Sequence, residues 1–158
     1  MDDAIFESIY GETSRQLWAY VCRITANPTA ADDIVQDTYL RFLRSPPREF
    51  TMDEARPYLF KIATNLIYDR FRRSKRGETS DAELESRTIA HGAETQQNAE
   101  MMQVFSKLKQ QERALLWLAY VEGYDHREIA GILKLNSMSV RVLLFRARRK
   151  LAELIESA

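Results

Sequence analysis

The sequence contains one cysteine and two histidines among its 158 residues. A single cysteine cannot form a disulfide within the chain, and the apolar neighbours of Cys22 predict a small core residue. His91 and His126 lie far apart and have neither the spacing of metal ligands nor partners for a catalytic triad. His126 is expected to be an ordinary exposed residue. These shortages argue against disulfide-stabilised, zinc-binding and serine-hydrolase classes.

The five glycines do not form a phosphate-binding loop. The carboxylates Asp32, Asp33 and Asp37 lie on one predicted helix. Metal sites built on helices normally take their ligands from several elements, so this group alone is not a metal site. The sequence therefore predicts a protein that is not an enzyme, with no catalytic residues, no bound metal and no cofactor.

Long apolar runs are also missing. The longest candidate, ALLWLAYV at 114–121, is far shorter than the ~18 residues that a membrane-spanning helix needs. Asp2 and Asp3, with no apolar segment after them, argue against a secretory signal. We therefore expect a cytoplasmic protein without direct membrane insertion.

The formal net charge is zero, but the charges are unevenly distributed. Basic residues exceed acidic ones in 51–80 (seven against four) and in 111–158 (eight against six). Attraction to phosphate is local and screened by salt, so two separate basic patches matter more than the total. The charge pattern is therefore compatible with nucleic-acid binding at two places.

The stretch 125–151 has the pattern of a helix-turn-helix. Asp125 and Glu128 have the spacing of a capping box, and an apolar stripe follows until the pattern breaks at 134–136. A second period then begins, with one apolar face at helical spacing. The predicted inward residues are Ile129, Ala130, Leu133, Val140, Leu144, Ala147 and Leu151.

The second of these helices has a basic outward face. Val142, Phe145, Arg146 and Arg149 lie opposite the apolar stripe, with Ser139 and Arg141 beside them. Residues 137–152 contain five basic side chains and no acid, whereas a merely solvated face usually mixes both signs. Short helix pairs also occur in many all-helical proteins, but the charge favours a DNA-binding helix.

Three helices are predicted in the first part of the chain, at about 4–25, 30–43 and 55–74. Asp53 is the predicted cap of the third helix, and Pro57 is expected near its first turn. On the first helix, Ile9 or Tyr10 belongs to the inward face. The second helix has an inward face of Val35, Thr38, Tyr39 and Phe42 and an outward stripe of Asp33, Gln36, Asp37, Leu40 and Arg44. Such a stripe is by itself more often a solvated face than a functional one.

The periodicity of the third helix predicts an inward face of Leu59, Ile62, Ala63 and Leu66. The predicted outward face consists of Lys61, Asn65, Tyr68, Arg72 and Arg76, with Asp69 at its edge. Cations, an amide and an aromatic ring on one surface suit contacts to phosphates and to exposed bases. The run RFRRSKR at 70–76 adds charge, although a solubilising helix end would also explain it.

Residues 77–99 lose the periodicity and hold five acids against one arginine, which is typical of a flexible linker. Helices are predicted after it at about 100–109 or longer and at about 112–121, with Gly123 ending the second. The predicted fold is all-α, with two small helical domains joined by a flexible linker and a helix-turn-helix at the end of the second. The domain boundaries are 1–76, 77–99 and 100–158.

Three segments together resemble an extracytoplasmic-function (group four) RNA polymerase sigma factor of the sigma-70 family. DDIVQDTYLRFLR and YLFKIATNLIYDRFRRSKR resemble the second sigma region, and YVEGYDHREIAGILKLNSMSVRVLLFRARRKL resembles the fourth. The resemblance covers nearly the whole chain. It implies a transcription initiation factor that binds core RNA polymerase at the β′ clamp and the β flap and recognises promoter DNA. An anti-sigma factor is a further partner that this family often has.

The resemblance also implies roles for residues. Asp33, Gln36 and Asp37 match the D-x-x-Q-acidic motif that binds the β′ clamp, with Leu40 on the same face. The positions that would hold the non-template strand of the minus-ten element are Lys61, Asn65, Tyr68, Asp69, Arg72, Arg73 and Arg76. The promoter would melt when a base is flipped into a pocket with the loop 48–57 as its wall.

The fourth region is expected to read the minus-thirty-five element. Arg141, Phe145 and Arg146 match positions that face the major groove, and Ser139, Val142 and Arg149 complete the expected surface. The chain departs from the family at Met138, Val142 and Leu143, so its sequence preference should differ from that of relatives.

Two rival hypotheses remain. A helix-turn-helix regulator that works without polymerase leaves the acidic stripe on the second helix unexplained. An adaptor that binds proteins through apolar faces leaves both basic helices unexplained.

Overall fold

The computed structural model describes residues 1–77 and 96–157, with side chains in the second range from residue 99 onward. The chain divides into two compact units, Met1–Arg87 and Thr88–Ala158. Every regular element in the described residues is a helix, which confirms the all-α prediction. Most of the segment 77–99, including His91, lies outside the described residues.

The first unit consists of α1 (Asp3–Thr25), α2 (Pro28–Arg44) and α3 (Met52–Lys75), which pack against one another. Asn27 separates the first two helices: its side chain accepts a hydrogen bond from the amide of Ala30, and Pro28 occupies the first helical position, where a missing N–H costs nothing. Both helices therefore lie close to their predicted positions.

The third helix begins at Met52, earlier than the sequence predicts, and its cap is Thr51 rather than Asp53. The Thr51 hydroxyl accepts from the amide of Glu54 (3.3 Å) and the Glu54 carboxylate accepts from the amide of Thr51 (3.0 Å). This reciprocal capping box satisfies two orphan donors and starts the helix there. Pro57 consequently lies inside the helix rather than near its start, and the predicted loop 48–57 is non-helical only up to Thr51.

The core of the first unit combines apolar packing with two buried hydroxyl pairs. Thr64 donates to the carbonyl of Phe60, so the Tyr20 hydroxyl donates to Thr64 at 2.7 Å. The second pair joins Thr13 of α1 to Tyr39 of α2, with 2.6 Å between their hydroxyl oxygens. Buried polar groups are costly unless paired, so these bonds fix the register of the three helices.

The inward faces agree with the predictions in most positions. On α1, Ile9 is the buried alternative and Tyr10 is 48% exposed. On α2, Thr38, Tyr39 and Phe42 are buried, but Ile34 takes the place predicted for Val35, which is half-buried. The inward face of α2 is therefore rotated slightly towards Ile34.

Cys22 is a core residue, as predicted, with 2% of its surface exposed. Desolvation by burial raises the pKa of the thiol from 9.0 to about 11, with Arg23 lowering it and Asp32 raising it by smaller amounts. A folded-state pKa above the unfolded one means that the stabilisation from the neutral thiol is complete below pH 9.0 and is lost as the pH rises towards about 11.

We therefore expect Cys22 to resist thiol reagents in the native protein at pH 8 and to react rapidly in denaturant, because the thiolate is the nucleophile and it is both rare and buried. Measuring the rate of reaction with an aromatic disulfide reagent, with and without urea, checks this. Equal rates in the two conditions would contradict the buried placement.

The second unit contains α4 (Gln96–Ser106), α5 (Gln110–Leu116), α6 (His126–Leu133) and α7 (Ser137–Glu156). The helix predicted at about 100–109 or longer is α4, which begins earlier, at Gln96, and ends three residues before the predicted end, at Ser106. Arg113 explains the end: its buried guanidinium donates to the carbonyls of Ser106 (3.1 Å) and Leu108 (2.6 Å). The first of these bonds satisfies a carbonyl that the helix leaves without a partner, and the second lies in the turn that follows.

The predicted helix 112–121 is α5 followed by a π-helical turn, Trp117–Val121. The amide of Glu122 donates to the carbonyl of Trp117 (3.1 Å), and the indole N–H of Trp117 donates to the carboxylate of Glu122 (3.2 Å). The same two residues are thus joined twice across the widened turn. Gly123 follows with φ +78°, a left-handed conformation that ends the element as predicted.

The helix-turn-helix prediction is confirmed. α6 and α7 are joined by residues 134–136, and Lys134 takes a left-handed conformation at φ 60°. The capping box of Asp125 and Glu128 is present, and Asn136 caps α7 by accepting from the amide of Ser139 at 2.8 Å. The predicted inward residues are buried except Leu151, which is half-buried.

Asp125→Ala should lower the free energy of unfolding of the second unit by about 1 kcal/mol, because α6 is short and loses one of its caps. Urea unfolding followed by the fluorescence of Trp117, in a Trp18→Phe background, measures the effect on this unit. The matched control is His126→Ala, a change at the neighbouring exposed residue. An unchanged midpoint in Asp125→Ala would contradict the importance of the cap.

Candidate nucleic-acid and partner interfaces

The acidic stripe on α2 is exposed in the structure. Asp33, Gln36, Asp37 and Leu40 all lie on the solvent side of the helix, and Leu40 is 45% exposed. The Asp33 carboxylate lies 3.9 Å from the guanidinium of Arg70, a loose and solvent-screened pair. We call these four residues the α2 face. It combines two carboxylates, an amide and an apolar side chain, and none of them has a strong partner among the described residues.

Asp32 has a different role from its neighbours. Its carboxylate accepts a hydrogen bond from the indole N–H of Trp18 at 2.8 Å, which ties α2 to α1. The three carboxylates therefore do not act as one group. Among the described residues, no group of three or more acidic, histidine or cysteine side chains has the arrangement of a metal site.

An open groove of about 790 Å³ lies between α1 and α2, beside the α2 face. Aromatic side chains form its floor: the rings of Tyr10 and Tyr39 are 4.9 Å apart, and Phe6 packs edge-on against Tyr39 at 5.9 Å. Leu40 and Leu43 form its rim, and both are exposed. Neither Tyr10, which was considered only as an inward residue, nor Leu43 was predicted to belong to a site; the available signal is a large apolar residue off the buried stripe.

The basic face of α3 is only partly as predicted. Asp69, Arg72, Arg73 and Arg76 are exposed, and Arg72 donates to Asp69 at 2.9 Å. Lys61, Asn65 and Tyr68 are half-buried rather than fully outward. The charged end of the helix is therefore open to a ligand, and its first half is partly covered.

Tyr68 differs most from the prediction. Its hydroxyl is buried and has no hydrogen-bond partner among the described residues. Desolvation by burial raises the pKa of the phenol to about 12. The hydroxyl end of the side chain is therefore seated in the fold, and the residue as a whole is half-buried.

Phe71 is an exposed aromatic residue that was not among the predicted site residues. It is 45% exposed, and the ammonium of Lys75 lies 5.4 Å from the centre of its ring. A lone aromatic within RFRRSKR was the available signal. It adds an apolar surface beside the arginines of this helix end.

The outward face of α7 agrees with the prediction. Arg141, Arg146 and Arg149 are exposed and make no hydrogen bond or ion pair with any described residue. Val142 is 47% and Phe145 51% exposed, whereas Ser139 is half-buried.

The other two basic residues of this segment are engaged. Arg148 donates to the hydroxyl of Tyr120 at 2.7 Å and lies over the Phe145 ring at 5.8 Å, and Lys150 pairs with Glu112 at 3.2 Å. The segment therefore offers three unpaired guanidinium groups to a ligand. Unpaired guanidinium groups on an exposed helix suit phosphate and base contacts.

Comparisons with known proteins match both units. The family model described as Sigma-70 region 2 matches residues 9–77, which include the α2 face and the basic end of α3. The model described as Sigma-70, region 4 matches residues 98–151, which include the helix-turn-helix.

Curated relatives agree with the family models. The RNA polymerase sigma factor NccH of Alcaligenes xylosoxydans xylosoxydans is 33% identical over 138 residues, 80% of this chain and 74% of that protein. The ECF RNA polymerase sigma factor SigL of Mycobacterium tuberculosis is 29% identical over 156 residues, 94% of this chain and 87% of that protein. The chain is an extracytoplasmic-function sigma factor of the sigma-70 family.

Solved structures show the same fold. This sigma factor is similar to the sigma factor RpoE of Bartonella quintana, solved in complex with the anti-sigma factor NepR, with 19% identity, 96% of each chain covered and a TM-score of 0.77. It is also similar to CnrH, solved in complex with the cytosolic domain of CnrY, with 26% identity, coverage of 99% and 90%, and a TM-score of 0.71.

The family acts in transcription initiation with RNA polymerase and is not a known class of enzyme. Among the helices that the structure describes, none combines the length and the apolar character that crossing a bilayer requires.

Proposed function

We propose that this sigma factor binds core RNA polymerase through the α2 face and directs it to promoters with two DNA-binding surfaces. The observation that carries the proposal is the presence of three exposed surfaces in the two matched regions: the acidic α2 face, the basic end of α3 and the cationic face of α7. A plain DNA-binding protein has no need of the first.

The α2 face is the proposed contact with the β′ clamp. Asp33, Gln36 and Asp37 present acceptors and an amide to a basic partner, and charge-assisted hydrogen bonds of this kind give both strength and register. Leu40 supplies an apolar contact at the same edge. Since Asp33 is held only loosely by Arg70 at 3.9 Å, little must be broken before a partner binds.

The basic end of α3 is the proposed grip on the non-template strand of the minus-ten element. Arg72, Arg73 and Arg76 neutralise phosphates, and Lys61, Asn65, Tyr68 and Asp69 complete the surface. Because the Tyr68 hydroxyl is buried, its ring would act as a rigid wall rather than as a mobile stacking group.

Promoter melting would then proceed by capture of a flipped base. Extruding a base costs a few kcal/mol, and stacking offsets about 1–3 kcal/mol per base. Of the predicted wall 48–57, only residues 48–51 are non-helical, so the proposed pocket wall is now the non-helical segment 45–51. Phe50 packs on Phe42 at 5.7 Å, and the Tyr58 hydroxyl donates to the carbonyl of Ser45 at 3.1 Å, so both ends of this segment are held in place.

The outward face of α7 is the proposed reader of the minus-thirty-five element. Arg141 and Arg146 would hydrogen-bond to guanine edges or phosphates, and Phe145 would contact a base or sugar. Ser139, Val142 and Arg149 would border them. The family's β flap contact would also belong to this second unit.

An anti-sigma factor is a further proposed partner. Two similar proteins were solved as complexes, RpoE with the anti-sigma factor NepR and CnrH with the cytosolic domain of CnrY. The exposed apolar rim of the α1–α2 groove offers a surface for such a partner beside the α2 face. An inhibitor that covered this groove would also block the polymerase contact.

In vitro transcription tests the proposal. Core polymerase is incubated with sheared genomic DNA, with and without this chain, and transcript starts are mapped. New starts that share two upstream motifs are expected only when the chain is present. Sequence-specific binding of the chain to duplex DNA without any new starts would instead favour a polymerase-independent helix-turn-helix regulator.

A further inference from the structure

The exposed face of α7 carries an apolar stripe along its centre. Met138, Val142 and Phe145 are separated by four and three residues, so they lie along one line of the helix. Their exposed fractions are 76%, 47% and 51%. The buried face of α7, which packs on α5 and α6, lies on the opposite side.

Cations border this stripe. At about 100° per residue, Arg141 lies about 60° to one side of Met138 and Arg146 about 80° to the other, and Arg149 continues the line. A face exposed only to water would normally be polar along its centre. The major groove of DNA has a matching profile, with thymine methyl groups on its floor and phosphates along its walls.

Two of the three residues of the stripe, Val142 and Phe145, are restrained. The Arg148 guanidinium lies over the Phe145 ring at 5.8 Å and donates to the Tyr120 hydroxyl at 2.7 Å. This contact limits the movement of Phe145 and keeps Arg148 beside the stripe. Val142, one turn earlier, is branched at Cβ and has few rotamers. Because these two side chains are restrained, they lose little entropy on binding.

We infer that Met138 and Val142 determine specificity, selecting upstream elements with thymines whose C5-methyl groups pack against these two side chains. The inference rests on the proposed role of α7 in reading the minus-thirty-five element. Neither side chain can donate a hydrogen bond. A guanine at the same position would therefore lose water from its acceptors without gaining a partner, which is costly.

The test uses the full chain in complex with core polymerase. Duplexes are selected from a pool randomised at the upstream element, and each selected thymine is then replaced by deoxyuridine, which removes the methyl group alone. We expect binding to weaken about fourfold for each contacted methyl, since burying a group of this size is worth about 0.8 kcal/mol.

The variants Met138→Ser and Val142→Ser should each become insensitive to the loss of one methyl group, while keeping the preferences that depend on Arg146. Ile155→Ser is the matched control, because it replaces another exposed apolar residue near the C-terminal end of the same helix. This control should respond to deoxyuridine as the parent chain does.

Selected elements without thymine, or unchanged binding of the parent chain to deoxyuridine duplexes, would overturn the inference. Weakened assembly with polymerase in Met138→Ser or Val142→Ser, with an unchanged response to methyl loss, would also overturn it and assign the stripe to a protein partner. Selection of no sequence at all would instead contradict the proposed role of α7 itself.

Discussion

Asp37→Arg should weaken the binding of this sigma factor to core polymerase by roughly 2–5 kcal/mol, the usual cost of breaking a desolvated charge pair at an interface. Asp37 is exposed on α2 beside Asp33 and Gln36. The new guanidinium would face the basic partner proposed for this surface, so repulsion is added to the lost hydrogen bonds. The dissociation constant is measured by titrating labelled sigma factor with core enzyme.

Glu12→Arg is the matched control, since it makes the same charge reversal at an exposed position of α1 that does not line the groove. It should bind core polymerase like the parent chain. If both variants lost the same affinity for core polymerase, the effect would be due to overall charge. If Asp37→Arg bound core polymerase like the parent chain, the α2 face would not be part of the polymerase interface.

Arg146→Ala should weaken binding of the complete enzyme to the minus-thirty-five element by about 1–3 kcal/mol and relax its sequence preference. Arg146 is exposed on α7, and no described residue competes for its guanidinium. Its five donors can therefore form a bidentate contact with a guanine edge. Footprinting on matched and mismatched upstream elements separates affinity from specificity.

Arg149→Ala serves as the comparison for this experiment. We expect Arg149 to contact a phosphate, and a phosphate contact carries no sequence information. Arg149→Ala should therefore lose a similar amount of binding affinity on every sequence, and its binding should depend less on salt. If Arg146→Ala behaved in the same way, or left the footprint unchanged, Arg146 would not be a base-reading residue.

Local patterns predicted the second unit well. The capping box of Asp125 and Glu128 and the apolar period of α7 are short-range features, and the structure contains both. The π-helical turn was not predictable in this way. It depends on a side-chain bond between Trp117 and Glu122 and a matching backbone bond, which the apolar pattern of 112–121 does not indicate.

In the first unit, helical wheels did not predict the cap of α3 or the burial of Tyr68. Thr51 and Asp53 are both good caps, and the position of Glu54 selects Thr51. The wheel places Tyr68 outward, yet its hydroxyl is buried in the structure. Burial depends on what lies over a residue as well as on its angle around the helix axis.

The roles of the exposed residues were the least predictable part. The stripe of Asp33, Gln36 and Asp37 has the composition of many solvated helix faces, and its interpretation came from the resemblance to sigma factors. The structure shows that these side chains are exposed. Their contact with polymerase stays a prediction, because a partner surface leaves no signature in the periodicity of one chain.

Permanganate footprinting tests the central claim most directly, because it detects unpaired thymines in an opened promoter. On fragments that carry the mapped starts, core polymerase with this chain should expose reactive thymines around the minus-ten element. Core polymerase alone should expose none, and adding the Asp37→Arg variant should restore none. A promoter that stays fully paired with the complete enzyme, or one that opens equally with core polymerase alone, would contradict the account.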